Sequence, residues 1–465
     1  MLILGADVWG HGLADVRLHG GTIAAIGQLS PREGEPVLMA NGGALLPGLH
    51  DHHIHLPALA ARRLSVSCGP PRVNSRAELA VALACAPGTG WIRGIDYHES
   101  VLGGLPDART LDALVSDRPL RMQHRSGRMW LLNRAALERL LDRAAPPAGL
   151  EREHGRFTGR LFDEDRWLQD TLGSRPPDLG EASAALARCG VTGLTDMSPR
   201  NAAEIAAHFE AQIAAGILVQ RCVLAGALEL AAAQGTAWHL GPAKLHLHEA
   251  ALPPVDEAIS FVRAAHRQGR PVAVHCVSEV ELVFTLAVLA EAGTIPGDRI
   301  EHASVARLEL VEEMARLQLH ACVQPHFIFE RGDRYLVDVE LQHQPDLYRL
   351  RALADRGIPV AGGSDAPYGD PDPWLAMNAA VHRRTRAGQV IGAEEALTPE
   401  EALALFLADP MDLSTQRAIV AGAPADLCLL DRPWNEARAR LSSADVRTTI
   451  VAGRIVHQRV DEAPT

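Results

Sequence analysis

Histidines are concentrated in one segment, PGLHDHHIH at positions 47–55, where four of the last six residues are histidine. On a β-strand, alternate side chains point to the same face, so His53 and His55 would face the same way. Two neighbouring imidazoles on one face can share a metal ion, and Zn²⁺ suits imidazole nitrogen. The spacing therefore predicts a pair of metal ligands, with a histidine-rich loop that binds no metal as the alternative.

Further candidate ligands come in short apolar segments that are typical of strands. They are His275 (ending VAVH), His302 (ending RIEH), Asp365 (ending AGGSD) and Lys244 (within AKLHLHE). The C-terminal ends of parallel strands meet at one mouth of a barrel, which is where barrels place their chemistry. A single histidine at a strand end is more often a structural residue. Several such residues beside a His-x-His pair predict one shared metal site.

The elements that would position these residues alternate along the chain. Strands are predicted at 191–197, 219–225, 243–249, 272–277, 299–304, 321–326 and 359–365, and helices between them include 256–267, 280–292 and 308–317. With a further strand at the histidine-rich segment, these make eight βα units. The pattern predicts an α/β fold, a (β/α)8 TIM-like barrel.

Both ends of the chain consist of short alternating segments separated by Gly, Asn and Pro. Such segments predict small antiparallel strands, and we expect residues 1–45 and 415–465 to form one small β-sandwich domain. The barrel would then occupy residues 46–414. Residues 57–180 do not follow the strand–helix rhythm and predict a large insertion after the first barrel strand.

Composition restricts the classes of function. The chain has 465 residues, of which 47% are hydrophobic and 22% charged, as in an ordinary globular protein with a large core. A net charge of −12 disfavours nucleic-acid binding, because an acidic surface gains nothing from counterion release. Seven scattered cysteines without a C-x-x-C pair predict reduced thiols. Since no signal peptide or long apolar run is evident, we expect a cytoplasmic protein that does not bind membranes.

Several motifs resemble those of the metal-dependent amidohydrolase superfamily, and they cover nearly the whole chain. They are LLPGLHDHHIHL, the strand with Lys244, VAVHCVSE, RIEHASV, VAGGSDAPYGDPDP, GAPADLCLLD and TTIVAGRIVH. The segments WIRGIDYHES, LDALVSDRPL and GRLFDEDRW are similar to the family 3 branch, which includes N-substituted formamide deformylases. More distantly, the chain resembles hydrolases of thiocarbamate and phenylurea compounds.

The resemblance implies a divalent-metal site. Its implied ligands are His53, His55, Lys244, His275, His302 and Asp365. Zn²⁺ is the expected ion, with Mn²⁺, Co²⁺ or Fe²⁺ as alternatives, and one or two ions would bind per chain. An ammonium group has no lone pair, so Lys244 either carries a carboxylate that bridges two ions or lies outside the shell of a single ion. An ion pair between Lys244 and Asp365 or Glu249 is a further alternative.

The implied activity is hydrolysis of an amide-type C–N bond in a small molecule. The candidate substrates are amides, formamides, ureas, carbamates and thiocarbamates. Hydroxide generated from water at the metal would attack the carbonyl carbon. Asp365 would act as general base and then as general acid, and His302 or His275 would polarise the carbonyl if one ion is present. Relatives are often oligomeric, so a homo-oligomer is a further expectation.

Residues near these motifs are predicted to contact the substrate: His124, Arg128, His246, His248, Gln324 and His326. Solvated histidines at the rim are an alternative for His246 and His248, and pairing with an acidic residue is an alternative for Arg128. The chain departs from the branch pattern at the Lys244 strand and at Arg128. The substrates of relatives are therefore not transferred to this chain.

Two other functions are compatible with the same motifs. A deaminase of this fold usually has a glutamate three residues after the histidine of the fifth strand, whereas here Glu279 comes four residues after His275. A non-catalytic metal-binding homologue is the second alternative, although such proteins typically lose ligands. Ammonia release and metal content distinguish these alternatives from a hydrolase.

Overall fold

A computed structural model of the chain describes residues 1–173 and 176–459. These residues divide into two compact units. One unit comprises Met1–Leu56 and the described residues from Asp178 onward, and the other spans Pro57–Pro177. Among the helices of the described ranges, none combines the length and apolar character that a membrane span requires.

The strands and helices are numbered in chain order. The strands are β1 (Leu2–Val8), β2 (Gly12–His19), β3 (Thr22–Gly27), β4 (Val37–Met39), β5 (Ala44–Pro47), β6 (Leu49–Ile54), β7 (Val66–Ser67), β8 (Ile92–Tyr97), β9 (Leu120–His124), β10 (Met129–Leu132), β11 (Leu150–Glu153), β12 (Arg156–Phe162), β13 (Val191–Asp196), β14 (Arg221–Gly226), β15 (Trp238–Leu245), β16 (Val272–Cys276), β17 (Arg299–His302), β18 (His320–Val323), β19 (Val360–Gly362), β20 (Ala408–Asp409), β21 (Asp412–Gln416), β22 (Leu427–Leu430), β23 (Val446–Val451) and β24 (Arg454–Gln458). The helices are α1 (Leu56–Arg63), α2 (Arg76–Ala84), α3 (Ala108–Asp112), α4 (Arg134–Leu141), α5 (Asp165–Leu172), α6 (Gly180–Arg188), α7 (Ala203–Ala214), α8 (Val255–Arg267), α9 (Glu279–Ala292), α10 (Leu308–Arg316), α11 (His326–Asp338), α12 (Leu350–Asp355), α13 (Pro373–His382), α14 (Pro399–Leu407) and α15 (Trp434–Ala437).

Eight parallel strands form the central sheet of the first unit, in the order β19-β18-β17-β16-β15-β14-β13-β6. Strands β6 and β13 are buried along their full length, as expected where both faces of a sheet are covered. The two end strands, β6 and β19, approach each other at their C-terminal ends. There the backbone N–H of Asp365 donates to the carbonyl of His53 at 2.6 Å. The sheet is a nearly closed TIM-like barrel, which confirms the predicted fold class.

The helices between the barrel strands agree well with the sequence pattern. Those predicted at 256–267, 280–292 and 308–317 correspond to α8, α9 and α10. Helix α9 begins with a capping box, in which the side chains of Ser278 and Glu281 accept hydrogen bonds from each other's backbone N–H groups. The strand predicted at 243–249 is wrong at its C-terminal end. Because β15 ends at Leu245, His246 and His248 follow the strand and are exposed.

The two ends of the chain form one eight-stranded mixed sheet. Its order is β24-β23-β22-β5-β1-β2-β3, and β4 pairs with β1. Strand β5 joins the two ends, since it pairs in parallel with β1 and antiparallel with β22. Side chains from both ends share one core, for example Ile3, Val16, Leu427 and Ile450. This confirms that both ends of the chain contribute strands to one β-structure. It is a mixed sheet, because β4 and β5 pair in parallel with β1.

The second unit follows the first barrel strand and contains its own six-stranded sheet, in the order β11-β12-β10-β9-β8-β7. Its apolar side chains form two clusters. Met129 and Leu131 belong to one cluster, and Trp130 and Leu132 belong to the other. Adjacent residues of β10 point to opposite faces, so both faces of this sheet are covered by apolar side chains.

Candidate metal centre

Three candidate ligands come together at the C-terminal ends of β6 and β19. His53 lies near the end of β6, His55 follows that strand, and Asp365 follows β19. Oδ1 of Asp365 lies 3.1 Å from Nε2 of His55 and 3.5 Å from Nε2 of His53. The potential ligand atoms of these residues all lie within 4.8 Å of one another. Two imidazole nitrogens and a carboxylate oxygen form a donor set that fits a divalent cation such as Zn²⁺.

Asp365 is held in place where β6 and β19, the two end strands of the barrel sheet, approach each other. Its φ is +50°, a left-handed conformation that aspartate tolerates better than most residues. Just before it, the backbone N–H and the hydroxyl of Ser364 donate to the carboxylate of Asp51 at 3.0 and 2.6 Å. Gly363 lies so close to β6 that a Cβ there would be 2.5 Å from Cβ of His53. The approach of β19 to β6 thus decides where the carboxylate lies.

A buried carboxylate contacts the other nitrogen of His53. Oε2 of Glu301 lies 2.5 Å from Nδ1 of His53, and Oε1 of Glu301 accepts a hydrogen bond from Nε of Arg299 at 2.5 Å. None of these side chains is more than 3% exposed. Neither Glu301 nor Arg299 is among the site residues predicted from the sequence. The available signal was the alternation of two charged residues in the buried segment RIEH, which places both on one face of β17.

Four imidazole rings stand in a row at this end of the barrel. The ring centroids are 4.8 Å apart for His53 and His302, 4.5 Å for His302 and His275, and 4.4 Å for His275 and His246. Nδ1 of His302 donates to Oε1 of Gln324 at 2.7 Å. Nε2 of His302 then keeps its lone pair, and it is buried without a hydrogen-bond partner among residues 1–173 and 176–459. It is therefore available to coordinate a cation.

Lys244 lies at the end of β15, and its side chain is buried. Across the part of the chain that the structure describes, its Nζ has no hydrogen-bond partner. The ion pairs with Asp365 or Glu249 that the sequence left open are therefore not formed. Burial lowers the pKa of Lys244, and the nearby carboxylate of Glu301 acts in the opposite direction. A buried amine without a partner is costly, which marks this position as a candidate functional group.

Three of the candidate imidazoles, those of His53, His302 and His275, are kept neutral by burial. Burial holds the pKa values of His53 and His302 well below their usual range and lowers the pKa of His275 to about 3. The positive charge of Lys244 adds to this lowering for His53 and His275. Neutral imidazole is the form that binds metal ions. The electrostatics of the site therefore fit the donor set.

A second group of potential ligands, formed by His53, Glu301 and Cys322, fits a metal less well. Burial raises the pKa of the Cys322 thiol well above its ordinary value, which disfavours the thiolate that metals bind. The carboxylate of Glu301 is already engaged by His53 and Arg299. We therefore assign the candidate centre to the group that contains Asp365.

The residues predicted to contact substrate are divided between the two units, and four of them belong to the first. Gln324 and His326 are fully buried, and Nε2 of His326 lies 3.0 Å from the carbonyl oxygen of Ser364. His246 and His248 are exposed after β15. Contact of these side chains with a substrate stays a prediction.

His124 and Arg128 belong to the second unit and have partners there. The guanidinium of Arg128 forms an ion pair with the carboxylate of Asp163 at 2.6 Å, and both side chains are exposed. This is the pairing with an acidic residue that the sequence left open. Nδ1 of His124 lies 2.8 Å from the hydroxyl of Ser126. A role for either residue in substrate binding stays a prediction.

The chain is similar to known proteins over nearly its whole length. The sequence profile of the amidohydrolase family matches residues 37–457. The chain is 26% identical over 521 residues to N-substituted formamide deformylase of Arthrobacter pascens, which covers 96% of this chain and 95% of that protein. It is 25% identical over 481 residues to YtcJ of Bacillus subtilis (strain 168), with 90% of each covered. An uncharacterized metal-dependent hydrolase from Pyrococcus horikoshii OT3 has the same fold, with a TM-score of 0.77 at 21% identity over 93% of this chain and 97% of that one. The chain therefore belongs to the amidohydrolase family, within the family 3 branch of the metal-dependent hydrolases.

Proposed function

We propose that this protein is a divalent-metal-dependent hydrolase that cleaves an amide-type C–N bond of a small molecule. The observation that carries the proposal is the position of Asp365, whose Oδ1 lies within 3.5 Å of Nε2 of both His53 and His55. Similarity to N-substituted formamide deformylase supports the choice of bond. The substrate class comprises amides, formamides, ureas, carbamates and thiocarbamates.

His53, His55 and Asp365 would hold one cation, for which Zn²⁺ is the first choice because imidazole nitrogen dominates the donor set. His275, His302 and a carboxylated Lys244 would hold a second. The buried amine of Lys244, with its lowered pKa, is suited to this modification. Its nitrogen lone pair attacks the carbon of CO₂, the amine proton leaves to solvent, and the product is a carbamate whose oxygens can bind metal.

A bound divalent cation would polarise the carbonyl of the substrate and lower the pKa of a water molecule. The carboxylate of Asp365 accepts a proton from the attacking water and later returns it to the leaving nitrogen. Amide nitrogens depart poorly as anions, so this proton is needed for the C–N bond to break. His302 donates through Nδ1 to Gln324, which leaves Nε2 without a proton and favours a ligand role over donation to the carbonyl.

Two substitutions test the proposal. Asp365→Asn removes the proton acceptor but keeps a side-chain oxygen at the ligand position, and we expect turnover of an amide panel to fall about 10²- to 10⁴-fold while most of the bound metal is retained. His55→Ala removes a ligand and should reduce both bound metal and turnover. The matched controls are Asp338→Asn and His19→Ala, which alter exposed residues outside the site. Unchanged turnover in Asp365→Asn, or full metal content in His55→Ala, would contradict the assignment.

The same assays separate the two alternative functions. The position three residues after His275 is Ser278, which caps α9, and Glu279 pairs with Arg307 at 2.6 Å. This arrangement does not favour a deaminase. Ammonia release from aminopurines or aminopyrimidines without hydrolysis of amides would replace the hydrolase proposal. Metal binding without turnover of any compound in the panel would indicate a non-catalytic homologue.

A further inference from the structure

Glu301 connects His53 to a buried guanidinium. Its Oε2 lies 2.5 Å from Nδ1 of His53, and its Oε1 accepts from Nε of Arg299 at 2.5 Å. Arg299 is fixed by a second hydrogen bond, in which Nη2 donates to the carbonyl of His52 at 3.1 Å. The two oxygens of the carboxylate therefore have different partners, and neither partner can exchange places with the other.

We propose that Glu301 is a positioning residue that sets the tautomer of His53, an inference that rests on the proposed metal centre. A carboxylate that pairs with a guanidinium through one oxygen acts as an acceptor through the other, so Nδ1 of His53 carries the proton that faces Oε2. A neutral imidazole has one N–H, and Nε2 therefore keeps its lone pair on the side of Asp365. A carboxylate that accepts the far N–H of a ligating histidine also raises the basicity of the ring.

The substitution Glu301→Gln reverses this preference while keeping the volume of the side chain. Nε of Arg299 requires an acceptor, so the amide oxygen takes the place of Oε1. The amide NH₂ then takes the place of Oε2 and faces Nδ1 of His53. A donor at this position selects the tautomer with its proton on Nε2. The nitrogen that faces Asp365 would then be blocked for coordination.

The experiment measures Zn²⁺ affinity of the full-length, metal-stripped protein by competition with a chromophoric chelator. We expect Glu301→Gln to weaken Zn²⁺ binding about 10- to 100-fold, the usual effect of losing such a partner. Glu301→Ala should weaken it less, because His53 is then free to adopt either tautomer. Cys322→Ala is the matched control, since Cys322 lies in the same buried group but is neutral at neutral pH, and it should keep the wild-type affinity. The melting temperature of metal-free Glu301→Gln should fall, because the buried guanidinium of Arg299 loses its charged partner, so affinities are compared at a temperature at which each variant is folded.

Two results would overturn the inference. One is wild-type Zn²⁺ affinity in Glu301→Gln, and the other is a weaker affinity in Glu301→Ala than in Glu301→Gln, which is the order expected of a packing role. If Glu301→Gln does not fold, Glu301→Asp takes its place, because it keeps a carboxylate acceptor on a shorter side chain. A Zn²⁺ affinity of Glu301→Asp nearer to the wild-type value than that of Glu301→Ala supports the inference, and an affinity equal to or weaker than that of Glu301→Ala overturns it. Failure of the wild-type protein to bind Zn²⁺ would instead overturn the proposed metal centre, and this inference with it.

Discussion

The contact between β19 and β6 predicts a severe effect for Gly363→Ala. An added Cβ would lie 2.5 Å from Cβ of His53 and 2.6 Å from its backbone nitrogen. Neither atom can rotate away, and ordinary van der Waals contact begins at 3.4 Å, so the two strand ends must separate by about 0.9 Å. Asp365 follows two residues later and would move with its strand. The substitution should therefore disturb the catalytic carboxylate without changing its chemistry.

The expected magnitude has two parts. Overpacking of this kind costs about 1–3 kcal/mol of folding free energy. A displacement of about 1 Å at a catalytic group can lower turnover about 10²-fold. The assay compares turnover, bound metal and melting temperature with those of Gly90→Ala, where an added Cβ meets no atom within 4 Å. Wild-type turnover and melting temperature in Gly363→Ala would refute the argument that β19 is seated directly against β6.

Two other measurements test the site and its surroundings. Stripping the metal with a chelator should lower the free energy of unfolding of the wild-type protein. The expected loss is about 2.7 kcal/mol, measured against protein with free Zn²⁺ at 100 times its Kd. An unchanged melting temperature would contradict a resident ion. Burial lowers the pKa of His326 to about 4, so the neutral form is favoured in the folded state. The stability that His326 contributes is complete above its unfolded pKa of about 6.5 and is lost as the pH falls towards 4. Urea unfolding at several pH values should show this loss in the wild type and a smaller one in His326→Gln.

Local spacing was sufficient to predict much of the fold. Buried parallel strands appear as short apolar runs, and the segment VTGLTDM at 191–197 corresponds to β13 almost residue for residue. Helix α9 was predicted at 280–292 and begins one residue earlier, because Ser278 provides its N-cap. The strand predicted at 243–249 extends too far at its C-terminal end because a local pattern misleads there. Alternating Leu and His residues continue the strand pattern after Leu245, although the backbone leaves the sheet there.

Contacts between distant strands could not be predicted in the same way. Glu301 is separated from His53 by 248 positions. The alternation in RIEH places Glu301 on the same face of its strand as Arg299, but it does not indicate which histidine the carboxylate contacts. Similarly, Lys244 is compatible in sequence with an ion pair, whereas its burial without a partner depends on what surrounds β15. Arg128 shows that a plausible substrate contact can be satisfied by a nearby acid, here Asp163.

The sequence by itself determined the types of the candidate ligands and the order of the elements that carry them, because periodicity and chain order are local properties. Only the tertiary structure decided which atoms meet. The closure between β6 and β19 brings the carboxylate of Asp365 to His53 and His55, and the register of β17 brings Glu301 to the opposite nitrogen of His53. Such contacts depend on the alignment of strands that are hundreds of residues apart, and a single sequence does not encode that alignment in any short pattern.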